Sequence, residues 1–116
     1  MIFDILSKFP ALIKDYKIRK YRFYGTSYEL IIEINLKDKS QLYVRDYLFD
    51  DGKRKYSFHW QNSMKECINR WDNISHYQNI KTFPFHKHVG KNEMIEESEV
   101  MNLEKVLEFI SQQIID

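Results

Sequence analysis

The sequence predicts an α+β fold: a five-stranded antiparallel meander with N-terminal and C-terminal helices packed on one face. Three stretches carry that prediction. From Tyr28 to Leu36 the even positions Tyr28, Leu30, Ile32, Ile34 and Leu36 are apolar and most odd ones polar, the period of a half-buried strand. Asp51-Gly52 lies between two aromatic-rich runs and signals a tight hairpin. From Val100 to Ile115, Val100, Leu103, Val106, Leu107, Ile110 and Ile114 share one side of a helix. Helices covering one face of an antiparallel sheet are a stable layered arrangement.

The elements follow in order. Met1 to Lys14 reads as a short helix, with Ile2, Ile5, Leu6, Phe9 and Ile13 near helical spacing. Pro10 marks a start or a break within it. Ile18 to Tyr24 is the first strand, and Gly25-Thr26-Ser27 the first turn. Tyr28 to Leu36 is the second strand, Gln41 to Asp50 the third, Lys53 to Gln61 the fourth and Glu66 to Asn73 the fifth. Residues 74–92 read as irregular. Ser98 is the expected N-cap of the last helix, with acidic residues near the positive end of its dipole.

The 116 residues fit one domain, 1–116, with no internal repeat. The composition is 43% hydrophobic and 16% aromatic, too apolar for a disordered chain. No run is long and apolar enough to span a bilayer, and the first residues do not read as a signal peptide. The single cysteine, Cys67, reads as a small buried hydrophobe. These features together predict a cytoplasmic protein. The net charge of +1 conceals an asymmetry. Residues 1–90 carry 16 Lys/Arg against 10 Asp/Glu, and residues 91–116 carry 2 against 7, so a body of +6 joins an end of −5. A basic body suits a polyanion such as RNA, although a solvated helix face accounts for the acidic end.

A two-residue turn at Asp51-Gly52 sets a register. It would oppose Tyr47 to Tyr56, Arg45 to Phe58 and Tyr43 to Trp60 on one face. A four-residue turn at 62–65 would then oppose Tyr56 to Trp71, Ser57 to Arg70 and Lys55 to Asp72. The aromatic face is the expected core. The opposite face would carry Glu29, Glu33, Asp46, Lys55, Ser57, His59, Arg70 and Asp72. Cross-strand ion pairs, each worth about 0.2–1 kcal/mol, would account for such a face as well as a site would. A slip of one residue in either hairpin would exchange the faces. This register also leaves Arg45 among the aromatics, where an unpaired charge is costly.

Three of the four histidines lie between His76 and His88, and His59 comes shortly before. Histidine exchanges protons near neutral pH and is the commonest metal ligand. Its concentration beside Arg70, Asp72 and Lys87 points to a site, with a solvated polar loop as the plain alternative.

The tetrad Arg70-Trp71-Asp72-Asn73, then His76, then Thr82-Phe83-Pro84-Phe85-His86-Lys87-His88-Val89-Gly90 resembles the TumE family of prokaryotic toxins. Asp46-Tyr47 and Lys55 to Gln61 also look like strands of that family. The resemblance covers roughly residues 40–92. One departure is visible: Ile74-Ser75-His76-Tyr77 stands where the family pattern has Pro-His-His. The resemblance implies the toxin of a type II toxin–antitoxin pair. It implies a cognate antitoxin, expected to be a small helix-turn-helix DNA-binding protein, and activity against RNA. A second copy of the chain is a further possible partner; no membrane and no cofactor are expected.

RNA cleavage without a metal needs a base for the 2′-OH, an acid for the leaving 5′-oxygen and cations for the phosphorane. His86 and His88 are the candidate base and acid. The segment is expected to turn only one of them inward, with His59 or His76 supplying the second group. Arg70 suits a bidentate phosphate contact and Lys87 a point charge. Asp72 could orient a histidine. Arg45, Asp46, Lys55, Tyr56 and Ser57 are candidate substrate contacts; for Tyr56, core packing competes with base stacking. The competing metal reading would use His76, His86, His88 and Asp72, at a spacing that matches no zinc pattern. A third reading is a non-catalytic binding surface.

Overall fold

The computed structural model describes residues 2–114; Met1, Ile115 and Asp116, with the expected helix ends at Met1 and Ile115, lie outside the described residues. Among the described residues are α1 (Ile2–Ser7), β1 (Ile13–Tyr24), β2 (Ser27–Leu36), β3 (Gln41–Leu48), β4 (Arg54–Gln61), β5 (Cys67–Asp72), β6 (His86–Val89), β7 (Met94–Glu97) and α2 (Leu103–Gln113). The strands form one antiparallel sheet in chain order. The α+β class with two helices matches the expectation, but the sheet has seven strands rather than five. The two additional strands, β6 and β7, come from the segment expected to be irregular and the residues just beyond it.

The N-terminal helix stops at Ser7 instead of reaching Lys14. Turns across Phe9 to Leu12 carry the chain past Pro10, and β1 begins at Ile13. Proline lacks the N–H that a continuing helix would need. At the other end Asn102, not Ser98, caps α2: its side chain accepts from the Lys105 N–H at 2.8 Å. The Ser98 hydroxyl instead donates to Glu99 O.

One face of the sheet buries Leu30, Ile32, Ile34, Leu42, Val44, Phe58, Trp60 and Trp71. Val106, Leu107 and Ile110 of α2 and Ile2 and Leu6 of α1 complete this core. Each large side chain removed from water contributes about 1.5–3 kcal/mol. Trp71 meets Phe109 of α2 edge-on, with centroids 5.4 Å apart, which seats the helix over β5.

The register of β3 on β4 corrects the expected one by one residue. Phe49 N–H donates to Lys53 O at 2.8 Å and Gly52 N–H to Phe49 O at 3.0 Å. Gly52 has φ +85°, so the loop holds three residues and ends in a left-handed glycine. Tyr47 therefore opposes Lys55, Arg45 opposes Ser57 and Tyr43 opposes His59. In β3 the faces exchange. Leu42, Val44 and Asp46 turn to the core side, and Tyr43, Arg45 and Tyr47 to the open side. Arg45 is exposed, which removes the cost of burying it among aromatics. Asp46 is buried and takes a bidentate pair from Arg54, at 2.9 and 2.8 Å, with Tyr28 Oη donating at 3.1 Å.

The β4–β5 register shifts by two. The 62–66 turn, with Lys65 at φ +64°, accounts for one residue, and a bulge between Trp60 and Gln61 for the other. Two shifts restore the face. Trp71 stays in the core but opposes Phe58; Ser57 opposes Asp72 and His59 opposes Arg70.

Candidate functional site

β6 lies beside β5, with Arg70 opposite His88, Trp71 opposite Lys87 and Asp72 opposite His86. Residues two apart in a strand share a face. His86 and His88 therefore point the same way, away from the core, correcting the expectation that only one turns inward. Lys87 points to the helix side, its ammonium 5.9 Å from the Phe109 ring centroid.

The 73–85 segment folds back over this end of the open face. Asn73 clamps its start: the side-chain oxygen accepts from Tyr56 N–H at 3.0 Å, and the amide donates to Arg54 O at 2.6 Å. Tyr77 lays its ring edge-on against His86 and His88, with centroids 4.8 and 5.9 Å away. Beneath this cover Asp72, His86 and His88 are all buried.

A cleft of about 400 Å³ opens beside them. Lys55, Ser57 and His59 form its β4 wall, and Arg70, Asp72 and His88 its floor. His76 and Tyr77 supply the loop wall. A second concavity, sharing Ser57 and His59, continues along the open face past Arg45, Tyr43 and Glu33.

The floor is a linked polar array. His86 Nδ1 lies 3.0 Å from Pro84 O, so that nitrogen carries a proton and donates. Its Nε2 lies 2.7 Å from Asp72 Oδ1, close enough for an ion pair but off the line of a hydrogen bond. Asp72 Oδ1 also accepts from Ile74 N–H at 3.1 Å. Asp72 Oδ2 lies 3.4 Å from His88 Nε2 and 3.6 Å from Arg70 Nε. Arg70 Nη2 donates to His88 Nε2 at 3.2 Å, and Nη1 reaches Glu93 at 3.1 Å. A guanidinium can only donate, so this contact presents His88 as a neutral ring with a lone pair on Nε2. Burial and then the Arg70 charge both push the His88 pKa down, in agreement with that state. Burial and Arg70 likewise lower His59, whose buried Nε2 has no hydrogen-bond partner among the described residues.

The structure thus brings His59, Arg70, Asp72, His76 and His88, with Lys55 and Ser57, to one cleft, and sets His86 behind Asp72. Arg45 stands along the neighbouring groove. Asp46 is engaged by Arg54 and Tyr28, and most of Tyr56 is core, its hydroxyl accepting from Met101 N–H at 3.3 Å. Asn73 stands in the sequence as a member of the tetrad and Tyr77 as the departure from the family pattern, neither with a site role, whereas Glu93 carries no local signal.

A histidine-rich cleft on the open face of a helix-backed antiparallel sheet is the setting in which the comparison with known families falls, and it falls among toxins. The family model described as Toxin TumE matches residues 2–114, and the chain belongs to that family. Neither the search of curated proteins nor that of solved structures returned a match. Membership supports a toxin role and, in general terms, an antitoxin partner. Among the described residues no helix is long and apolar enough to cross a membrane.

Proposed function

We propose that this toxin is a metal-independent ribonuclease acting through histidine acid–base chemistry in the β4–β5–β6 cleft. The observation that carries the reading is His88 Nε2, poised between Arg70 Nη2 at 3.2 Å and Asp72 Oδ2 at 3.4 Å. As a neutral ring it accepts from Arg70. Once protonated it has a carboxylate oxygen to donate to. A group with a partner for both of its states suits a general base.

In this mechanism Arg70 Nη2 turns from His88 Nε2 to the phosphate, and the freed lone pair takes the 2′-OH proton as the 2′-oxygen attacks phosphorus. The P–O5′ bond breaks, and the 5′-oxygen receives a proton from His76. The products are a 2′,3′-cyclic phosphate and a free 5′-OH. His76 is assigned as the acid because it is exposed on the loop wall, where solvent can recharge it. His59 is held neutral by burial and by Arg70. Arg70 and Lys55 are the cations for the phosphorane, and Arg45 is a contact for RNA running along the groove. His86 holds Asp72 in place from behind. The antitoxin would be a small helix-turn-helix DNA-binding protein, as the family resemblance implies.

The test is RNA incubated with purified protein in excess chelator. Cleavage leaving 2′,3′-cyclic phosphate ends is expected. RNA left intact under every condition, by a protein that still binds its antitoxin tightly, would replace this reading with a non-catalytic binding module.

A further inference from the structure

Asp72, His86 and His88 bring three potential ligand atoms within 4.8 Å of one another, all on buried residues. His86 is the telling member. Its Nδ1–H is tied to Pro84 O, so a neutral ring presents a bare Nε2. That Nε2 has no aligned hydrogen bond among the described residues, yet sits 2.7 Å from Asp72 Oδ1 in a side chain only 1% exposed. A lone pair facing a carboxylate oxygen at that distance repels it unless positive charge lies between them. A proton meets that need, and so does a metal ion. One imidazole nitrogen tied to a backbone carbonyl and the other aimed inward is also the usual arrangement of a metal-ligating histidine.

We infer that Asp72, His86 and His88 form a site for a divalent transition cation of the zinc class, and that filling it switches the cleft off. The donors are two imidazole nitrogens and one carboxylate oxygen, a set that suits Zn²⁺. Ligand atoms around a tetrahedral zinc lie about 3.4 Å apart. The Asp72–His86 contact therefore opens slightly on binding, and Arg70 Nη2 leaves His88 Nε2. Arg70 has room for that: its side chain is 30% exposed, and its Nη1 keeps Glu93. The switch rests on the proposed function, since a metal on His88 Nε2 takes the lone pair that would accept the 2′-OH proton.

The experiment titrates Zn²⁺ into the chelator-stripped full chain by calorimetry, repeats it with Co²⁺ to read coordination from the visible spectrum, and follows RNA cleavage in parallel. One zinc per chain, tetrahedral cobalt bands and a loss of cleavage at stoichiometric zinc are expected. His86→Asn should weaken zinc binding about 100-fold or more, and His76→Gln should leave it unchanged. Should His86→Asn fail to fold, Arg70→Gln carries the test. Without the competing cation it should bind zinc about tenfold more tightly. No stoichiometric zinc, or equal affinity in wild type and folded His86→Asn, overturns the site. Zinc that binds and accelerates cleavage overturns the switch and the metal-free mechanism together. Zinc bound at these residues in a protein that never cuts RNA overturns the proposed function and the switch, and leaves the site standing.

Discussion

His86 Nε2 stands 2.7 Å from Asp72 Oδ1 across the β5–β6 pair, while the other nitrogen of the same ring is tied to Pro84 O at 3.0 Å. A bare Nε2 lone pair at that distance would repel the carboxylate oxygen, and a proton or a metal ion between the two relieves that repulsion. Asp72 in turn faces His88 and Arg70 with its second oxygen. One buried carboxylate thus couples a structural histidine to a cleft histidine.

Replacing that carboxylate tests the coupling. Asp72→Asn keeps the shape and the Ile74 N–H contact but removes the charge. A stability loss of about 1.5–3 kcal/mol is expected, the range for hydrogen bonds to charged groups. Urea denaturation reads it; an unchanged midpoint would mean that Asp72 contributes no net pairing. RNA cleavage should fall in the same variant.

Asp46 makes the opposite case. Its carboxylate is consumed by Arg54 and Tyr28 on the core side, away from the cleft. Asp46→Ala leaves Arg54 without its partner and should cost about 3 kcal/mol. The cleavage rate per folded molecule should stay the same. A rate that falls while the melting temperature holds would return Asp46 to the list of substrate contacts.

His76 is exposed, so its removal should cost little stability. As the assigned acid, it should still matter to the rate. His76→Gln is expected to melt like wild type and to lose about 10²–10⁴-fold in kcat. If instead His59→Gln shows that loss and His76→Gln none, the acid is His59.

Strands β2 to β5 and the last helix were legible because apolar side chains mark their buried faces. Leu30, Ile32 and Ile34 repeat with period two, and Val106, Leu107 and Ile110 line one side of a helix. β6 was not legible. Its buried residues, His86 and His88, lie on the open face in a polar network rather than on the apolar core face, so their strand period reads as a loop. The Asp51-Gly52 turn was located, but its length was not. Asp-Gly serves both two- and three-residue hairpins, and the choice moves β3 by one residue. That one step put Arg45 with the aromatics and Asp46 with the site, the reverse of their places in the fold. The site itself was legible in part. Arg70, Asp72, His76 and His88 stood out by residue type and spacing, whereas the Tyr77 cover and the Glu93 tether depend on chain reversals that no local pattern announces.

The proposed reaction depends first on His88 as the base. The direct measurement is the single-turnover rate of RNA cleavage in excess chelator, for wild type and for His88→Ala, with folding of both followed by near-ultraviolet circular dichroism. The expected result is cleavage by wild type and at least about a 100-fold loss in a folded His88→Ala. A folded His88→Ala that cuts at the wild-type rate would contradict the account.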